Sequence, residues 1–149
     1  LGVEDAWLIL RGMKTMGLRM EKSVDNAKIL TKFLETQDKI KKVYYPNLTS
    51  CKFYDIHTEQ ASSGGAVFSF EFFEQDDLKT FLKKIKIPIY AISLEGVESI
   101  ISHPATMSHA CMSEEERLAQ GVTQTLLRFS CGVEDSEDLI EDLKQALNN

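Results

Sequence analysis

The segment Ala66-Val67-Phe68-Ser69-Phe70-Glu71-Phe72 constrains the fold of this chain more than any other. Side chains of an extended strand alternate between its faces, so Phe68, Phe70 and Phe72 share one side while Val67, Ser69 and Glu71 share the other. Three phenyl rings on one side require an apolar layer to cover them, which predicts a sheet with helices packed on its phenyl face. Ser62-Ser63-Gly64-Gly65 just before it is a flexible break, too short to be an interdomain linker. A second strand is expected at Leu126-Leu127-Arg128-Phe129-Ser130-Cys131, with shorter β-prone runs at Val43-Tyr44-Tyr45, Ile89-Tyr90-Ala91-Ile92 and Ser99-Ile100-Ile101.

Helical spacing fills most of the rest. Apolar residues recur at helical intervals from Glu4 to Leu34, and Gly12 and Gly17 place a break between two helices or a bend in one. A short amphipathic helix is expected within 51–61. Another runs from Asp76 through Leu78, Phe81, Leu82 and Ile85, with Pro88 at its exit. Ser113-Glu114-Glu115-Glu116 has the capping-box pattern, in which Ser113 and Glu116 satisfy each other's backbone N–H, and Gly121 closes that helix. Leu139, Ile140, Leu143, Ala146 and Leu147 mark the apolar face of a last helix. The expected fold class is α+β: a small, largely antiparallel sheet covered by helices.

Composition narrows the function classes. With 149 residues, 43% apolar and 27% charged, the chain suits one soluble domain with one core. Its longest apolar runs, such as Trp7-Leu8-Ile9-Leu10, fall far short of the roughly 20 residues a membrane helix needs. A net charge of −6 supplies no positive field for nucleic acid. Cys51, Cys111 and Cys131 are odd in number and widely spaced, which points to a reducing, cytoplasmic setting. No targeting segment is visible, and a start at Leu1 implies a chain that is processed or cut from something longer.

Few residues stand out as chemistry. His103, His109 and Cys111 are close in sequence, but their H-x5-H-x-C spacing is no standard zinc pattern, and no metal site is expected. Cys51 and His57 lack an orienting carboxylate and read as a buried thiol and a surface imidazole. Arg128 is different. A guanidinium in the middle of so apolar a strand must reach water, find a carboxylate partner or await a ligand, and its planar fork suits a carboxylate. Pattern leaves a structural ion pair and a ligand clamp both open. Ser93, after a β-prone run and before Leu94-Glu95-Gly96, reads as an ordinary turn serine.

Several of these segments also occur together elsewhere. Ser93-Leu94-Glu95-Gly96-Val97-Glu98-Ser99, His103-Pro104-Ala105-Thr106-Met107-Ser108-His109, Glu115-Glu116-Arg117, Gly121-Val122-Thr123, Leu126-Leu127-Arg128-Phe129-Ser130 and Gly132-Val133-Glu134-Asp135 follow in an order that resembles the trans-sulfuration family of pyridoxal-phosphate enzymes. Asp5-Ala6-Trp7-Leu8-Ile9-Leu10-Arg11-Gly12-Met13-Lys14-Thr15 resembles that family's linking helix, and Gly64-Gly65-Ala66-Val67-Phe68-Ser69-Phe70 its first C-terminal strand. Several motifs in register over nearly the whole chain make the resemblance specific.

The resemblance implies that residues 1–149 are the single C-terminal, substrate-binding domain of a fold-type I enzyme, with the linking helix within 1–35 and the cofactor-lysine domain absent from the chain. Its cofactor would be pyridoxal 5'-phosphate, held on a Schiff-base lysine upstream, and its activity that of a cystathionine β-lyase or γ-synthase. The partner would be an amino-acid substrate such as cystathionine, and the full-length enzyme a homotetramer. By resemblance Arg128 grips the substrate α-carboxylate, Ser93 lies beside it and Ser108 belongs to the active-site wall. The isolated domain is expected to be inactive. Two positions depart from the family: Glu95 stands where glycine is common, and Cys131 where a branched aliphatic is usual. The alternative is a stand-alone, non-catalytic module that binds a small carboxylate or a protein partner.

Overall fold

Phe68, Phe70 and Phe72 share one face of strand β2 (Val67–Phe72), and each is buried. The computed structural model describes residues 1–148, with the other strands at Ile40–Tyr44 (β1), Ile89–Tyr90 (β3), Ile100–Ser102 (β4) and Leu126–Ser130 (β5). They form one sheet in the order β1-β2-β5-β4-β3. The pairings β1–β2, β2–β5 and β5–β4 are antiparallel and only β3–β4 is parallel, so the sheet is largely antiparallel as its sequence predicts.

The register of β2 on β5 sorts the two faces. Phe68 lies opposite Phe129 and Phe70 opposite Leu127, so these four side chains point the same way. Phe68 and Phe129 stack with centroids 5.2 Å apart. Helices α2 (Met16–Leu34), α4 (Gln75–Lys84) and α6 (Ser136–Leu147) cover this face. Ala27, Leu30 and Leu34 come from α2, Leu78 and Phe81 from α4, and Leu139, Leu143 and Ala146 from α6. Phe81 meets Phe70 edge-on at 5.9 Å. Rings in such arrangements add dispersion and quadrupole attraction to the burial of apolar area. Asp142 of α6 ties down the chain leaving α4 by accepting from the backbone N–H groups of Lys86 and Ile87.

Local signals act where they are expected. Helix α1 (Val3–Met13) ends and α2 begins across Lys14–Thr15, between the two glycines. Helix α3 spans Tyr54–Gln60. Helix α5 (Glu114–Ala119) carries both halves of the capping box, Glu116 N–H to Ser113 Oγ at 3.3 Å and Ser113 N–H to Glu116 Oε2 at 2.9 Å. Helix α1 buries no residue although it carries Trp7, Leu8, Ile9 and Leu10, and Trp7 remains 56% exposed.

Truncating Phe129 to alanine should remove about 3–5 kcal/mol of stability, because a stacked ring leaves a cavity in a close-packed layer. Trp7→Ala should stay within about 0.5 kcal/mol in the same chain. Urea denaturation of the two variants checks both.

Candidate functional site

The face of the sheet away from the helices is the polar one. Arg128 sits at its centre, on β5, opposite Ser69 of β2 on one side and Ser102 of β4 on the other. Short hydroxyl side chains on both flanks leave the guanidinium room above the sheet. Arg128 is half-buried, and its Nη2 donates to the backbone carbonyl of Ser93 at 3.1 Å. Among the described residues no carboxylate pairs with it. The structural ion pair that the sequence left open is therefore not the answer, and four of the five guanidinium donors have no protein partner among those residues.

Topology explains why Ser93 lies over Arg128. Parallel neighbours β3 and β4 need a connection that returns along their length, and here it is residues 91–99, with no helix. Arg128 and Ser130 share a face by the two-residue period. Arg128 holds the Ser93 carbonyl, and Ser130 Oγ accepts from the Glu95 N–H at 2.9 Å, so 93–95 runs along β5 on that face. Glu95 adopts φ +64°, the left-handed region, and is the only described non-glycine residue to do so. That conformation costs an ordinary residue about 1–2 kcal/mol.

The far end of the connection is locked. Ser99 donates its N–H and its hydroxyl to the Glu134 carboxylate at 2.5 and 2.9 Å, and its Oγ accepts from the Gly132 N–H at 3.0 Å. Asn26 of α2 donates to the carbonyls of Gly132 and Glu134. The chains pass so closely that a Cβ on Gly132 would run into the main chain of Val97 and Glu98. Only glycine fits there.

Ser108 is exposed and its Oγ is hydrogen-bonded to His109 Nδ1 at 2.9 Å. A hydrogen bond joins Arg128 to Ser93, and none among the described residues joins either of them to Ser108. His103 is buried, with Nε2 on the Gln124 carbonyl at 3.0 Å and Nδ1 on the Thr106 hydroxyl at 2.8 Å. A carbonyl only accepts, so Nε2 donates to Gln124. His57 pairs with Asn47 instead of Cys51. All three cysteines are free, and burial first, then the Glu134 charge, pushes the Cys131 thiol far up, out of reach of thiolate chemistry. Among the described residues no three His, Cys, Asp or Glu side chains converge on a metal position.

Glu71 is the residue that sequence reasoning missed. It shares the Arg128 face and is only 3% exposed. Thr123 Oγ1 donates to its carboxylate at 2.8 Å, Tyr44 Oη at 3.1 Å, and Lys41 Nζ and Thr125 Oγ1 at 3.3 Å. Burial pushes the carboxyl pKa upward, yet the bonds from Thr123, Lys41 and Tyr44 and the Lys41 charge outweigh it and hold the group below the usual glutamate value. A carboxylate inside an alternating strand was the available signal. Its partners lie on β1 and some 50 residues downstream, where no local pattern links them.

Known proteins resemble the chain over nearly its whole length. Residues 1–148 match the family model described as Cys/Met metabolism PLP-dependent enzyme. Cystathionine β-lyase of Bacillus subtilis is 46% identical over 147 residues, 99% of this chain and 38% of the relative. Cystathionine γ-synthase of Escherichia coli is 45% identical, over 96% of this chain and 37% of the relative. The crystal structure of cystathionine γ-synthase from Xanthomonas oryzae in complex with cystathionine superposes with a TM-score of 0.90 at 37% identity, covering 96% of this chain and 37% of that one. The chain thus spans less than two-fifths of the length of these relatives.

Replacing Glu71 with glutamine should cost about 1–3 kcal/mol at neutral pH, the worth of bonds to a buried charged acceptor. The depressed pKa sets the sign: the stabilisation is complete above the unfolded value of about 4.3 and is lost as pH falls through the lower folded one. Denaturation of wild type and Glu71→Gln at a series of pH values should show two stabilities that converge in acid.

Proposed function

Because this chain belongs to the family of pyridoxal-phosphate-dependent enzymes of cysteine and methionine metabolism, we propose that it is the C-terminal, substrate-gripping domain of a carbon–sulfur lyase or synthase of the cystathionine β-lyase or γ-synthase type. The observation that carries the reading is Arg128: a guanidinium at the centre of the open sheet face, flanked by serines, aimed by one backbone carbonyl and bound to no carboxylate among the described residues. Its substrate is an amino acid such as cystathionine, the molecule held by the Xanthomonas relative.

Pyridoxal phosphate, when bound, supplies the ring system that accepts the electron pair released at the substrate Cα. The residues of this chain fit the substrate side of that chemistry. Arg128 offers a fixed cation with unshared donors, whereas the two lysines within strands are held elsewhere, Lys41 on Glu71 and Lys42 over the Tyr44 ring. In this reading the lysine that binds the cofactor and the cradle for its phosphate belong to the remainder of a longer protein, which the chain's span of less than two-fifths of the relatives' length supports. Arg128 takes the substrate α-carboxylate in a two-pronged hydrogen bond, and by fixing that group it decides which Cα bond is presented for cleavage. The Ser93 carbonyl aims the guanidinium. The exposed hydroxyls of Ser93 and Ser108 are further substrate contacts in this reading.

The longer enzyme is proposed to be a cytoplasmic homotetramer. Three free thiols support a reducing compartment, and the uncovered apolar side chains of α1 support burial of that helix in the whole assembly. No described helix is long and apolar enough to cross a membrane. Alone, the chain is proposed to be inactive.

In the full-length, cofactor-loaded enzyme, Arg128→Ala should lower kcat/KM for cystathionine about 10²-fold or more while the cofactor's absorbance is kept, since it strips a substrate carboxylate of its charged partner. Steady-state assays that resolve pyruvate from 2-oxobutyrate read both this loss and the side of sulfur that is cleaved. Unchanged kinetics would overturn the clamp. The isolated chain, given pyridoxal phosphate and cystathionine, should release neither keto acid.

A further inference from the structure

Glu95 is held in a conformation that suits glycine, directly on the face that carries Arg128. Its backbone N–H is fixed to Ser130, two residues along β5 from Arg128, a spacing of roughly 6–7 Å. Its side chain is exposed, and its carboxylate has no hydrogen-bond or ion-pair partner among the described residues. The neighbouring Glu98 carboxylate folds back against Gly96, so the segment 93–98 contributes two negative charges and no positive one beside the clamp. A residue kept at φ +64° with nothing inside the fold to hold its side chain there points to a task outside the fold.

We infer that Glu95 is a specificity-determining residue: its carboxylate favours amino acids whose far end carries an ammonium and disfavours those whose far end is anionic. The inference rests on Arg128 binding the α-carboxylate, because that contact fixes which end of the substrate lies near residues 93–95. A substrate anchored on Arg128 extends over a segment whose charges are both negative. A unit charge about 8–10 Å from Glu95 in a partly desolvated cleft then changes affinity about five- to tenfold, with opposite sign for cation and anion.

The test uses the full-length, cofactor-loaded enzyme and three thioethers of cysteine that differ only in their far end: S-(2-aminoethyl), S-ethyl and S-carboxymethyl. Each is measured as a substrate or, where it does not turn over, as a competitive inhibitor of cystathionine turnover. Wild type should prefer aminoethyl over carboxymethyl, and Glu95→Gln, which keeps size and backbone strain, should shrink that ratio about five- to tenfold with the ethyl compound little changed. Raising NaCl to 0.5 M should compress the ratio in wild type and leave it flat in the variant. Glu95→Gly should shift the ratio as Glu95→Gln does and also raise Tm; a rise in Tm with both ratios unchanged would assign Glu95 to the backbone alone and overturn the inference. Arg128→Ala separates the two readings. If it weakens all three thioethers while Glu95→Gln changes nothing, the charge effect fails and the clamp stands; if it weakens none, the clamp itself fails and the inference falls with it.

Discussion

The antiparallel register of β2 on β5 is the constraint on which the rest of the molecule depends. With Phe68 opposite Phe129 and Phe70 opposite Leu127, the three phenyl rings of β2 and Leu127 and Phe129 of β5 face α2, α4 and α6. The same register puts Arg128 opposite Ser69, on the other face, between residues too small to cover it. A slip by one residue would drive the guanidinium into the phenyl layer and the rings into solvent, at a cost far above the stability of a domain this size. Core and candidate site are therefore set by one choice. The energy that packs the phenyl rings also fixes where the arginine stands.

The second layer of organisation is the connection 91–99. Because β3 and β4 are parallel, this segment has to come back along the sheet, and the hydrogen bonds to Arg128 and Ser130 show that it does so above β5. Its return end is tied by Ser99 to Glu134 and Gly132, and these in turn by Asn26 to α2. Asn26 spends both amide hydrogens on two carbonyls and leaves its own Oδ1 buried without a partner among the described residues. An unsatisfied buried oxygen costs about 1–3 kcal/mol, which the fold accepts in exchange for holding the turn after β5 against the helix layer. The ties at 97–99 and 132–134 anchor the end of a connection whose stretch 93–95 lies over β5.

The order of helices and strands was legible in the sequence because the apolar periods of two and 3.6 residues are read locally and tertiary packing here agrees with them. Arg128 stood out for the opposite reason, as a charge that breaks the pattern of an apolar strand, but pattern alone did not say that it would lack a carboxylate partner among the described residues. The parallel pairing of β3 was not, since a two-residue strand carries no directional signal. Ser93 reads from pattern as an ordinary turn serine, yet it meets Arg128 through its carbonyl, which sequence does not distinguish from any other. The positive φ of Glu95 has no local signature because glutamate is not a residue that ordinarily chooses it. The four donors around Glu71 converge from β1 and from Thr123 and Thr125, a meeting that only the sheet order creates.

Glu71 also explains why Arg128 remains available. On facing strands Glu71 lies opposite Leu126 and Arg128 opposite Ser69, so the two are diagonal neighbours on one face, with backbones about 7–8 Å apart and within reach of two long side chains. Left to itself, a carboxylate there would close on the guanidinium, because an opposite charge at that range in a half-buried setting is the strongest partner on offer. Instead Lys41, Tyr44, Thr123 and Thr125 draw it away and stabilise its ionised form, and the depressed pKa is the sign that they succeed. The fold thus satisfies the buried acid Glu71 with neutral hydroxyls and an exposed lysine, and leaves Arg128 without a carboxylate partner among the described residues.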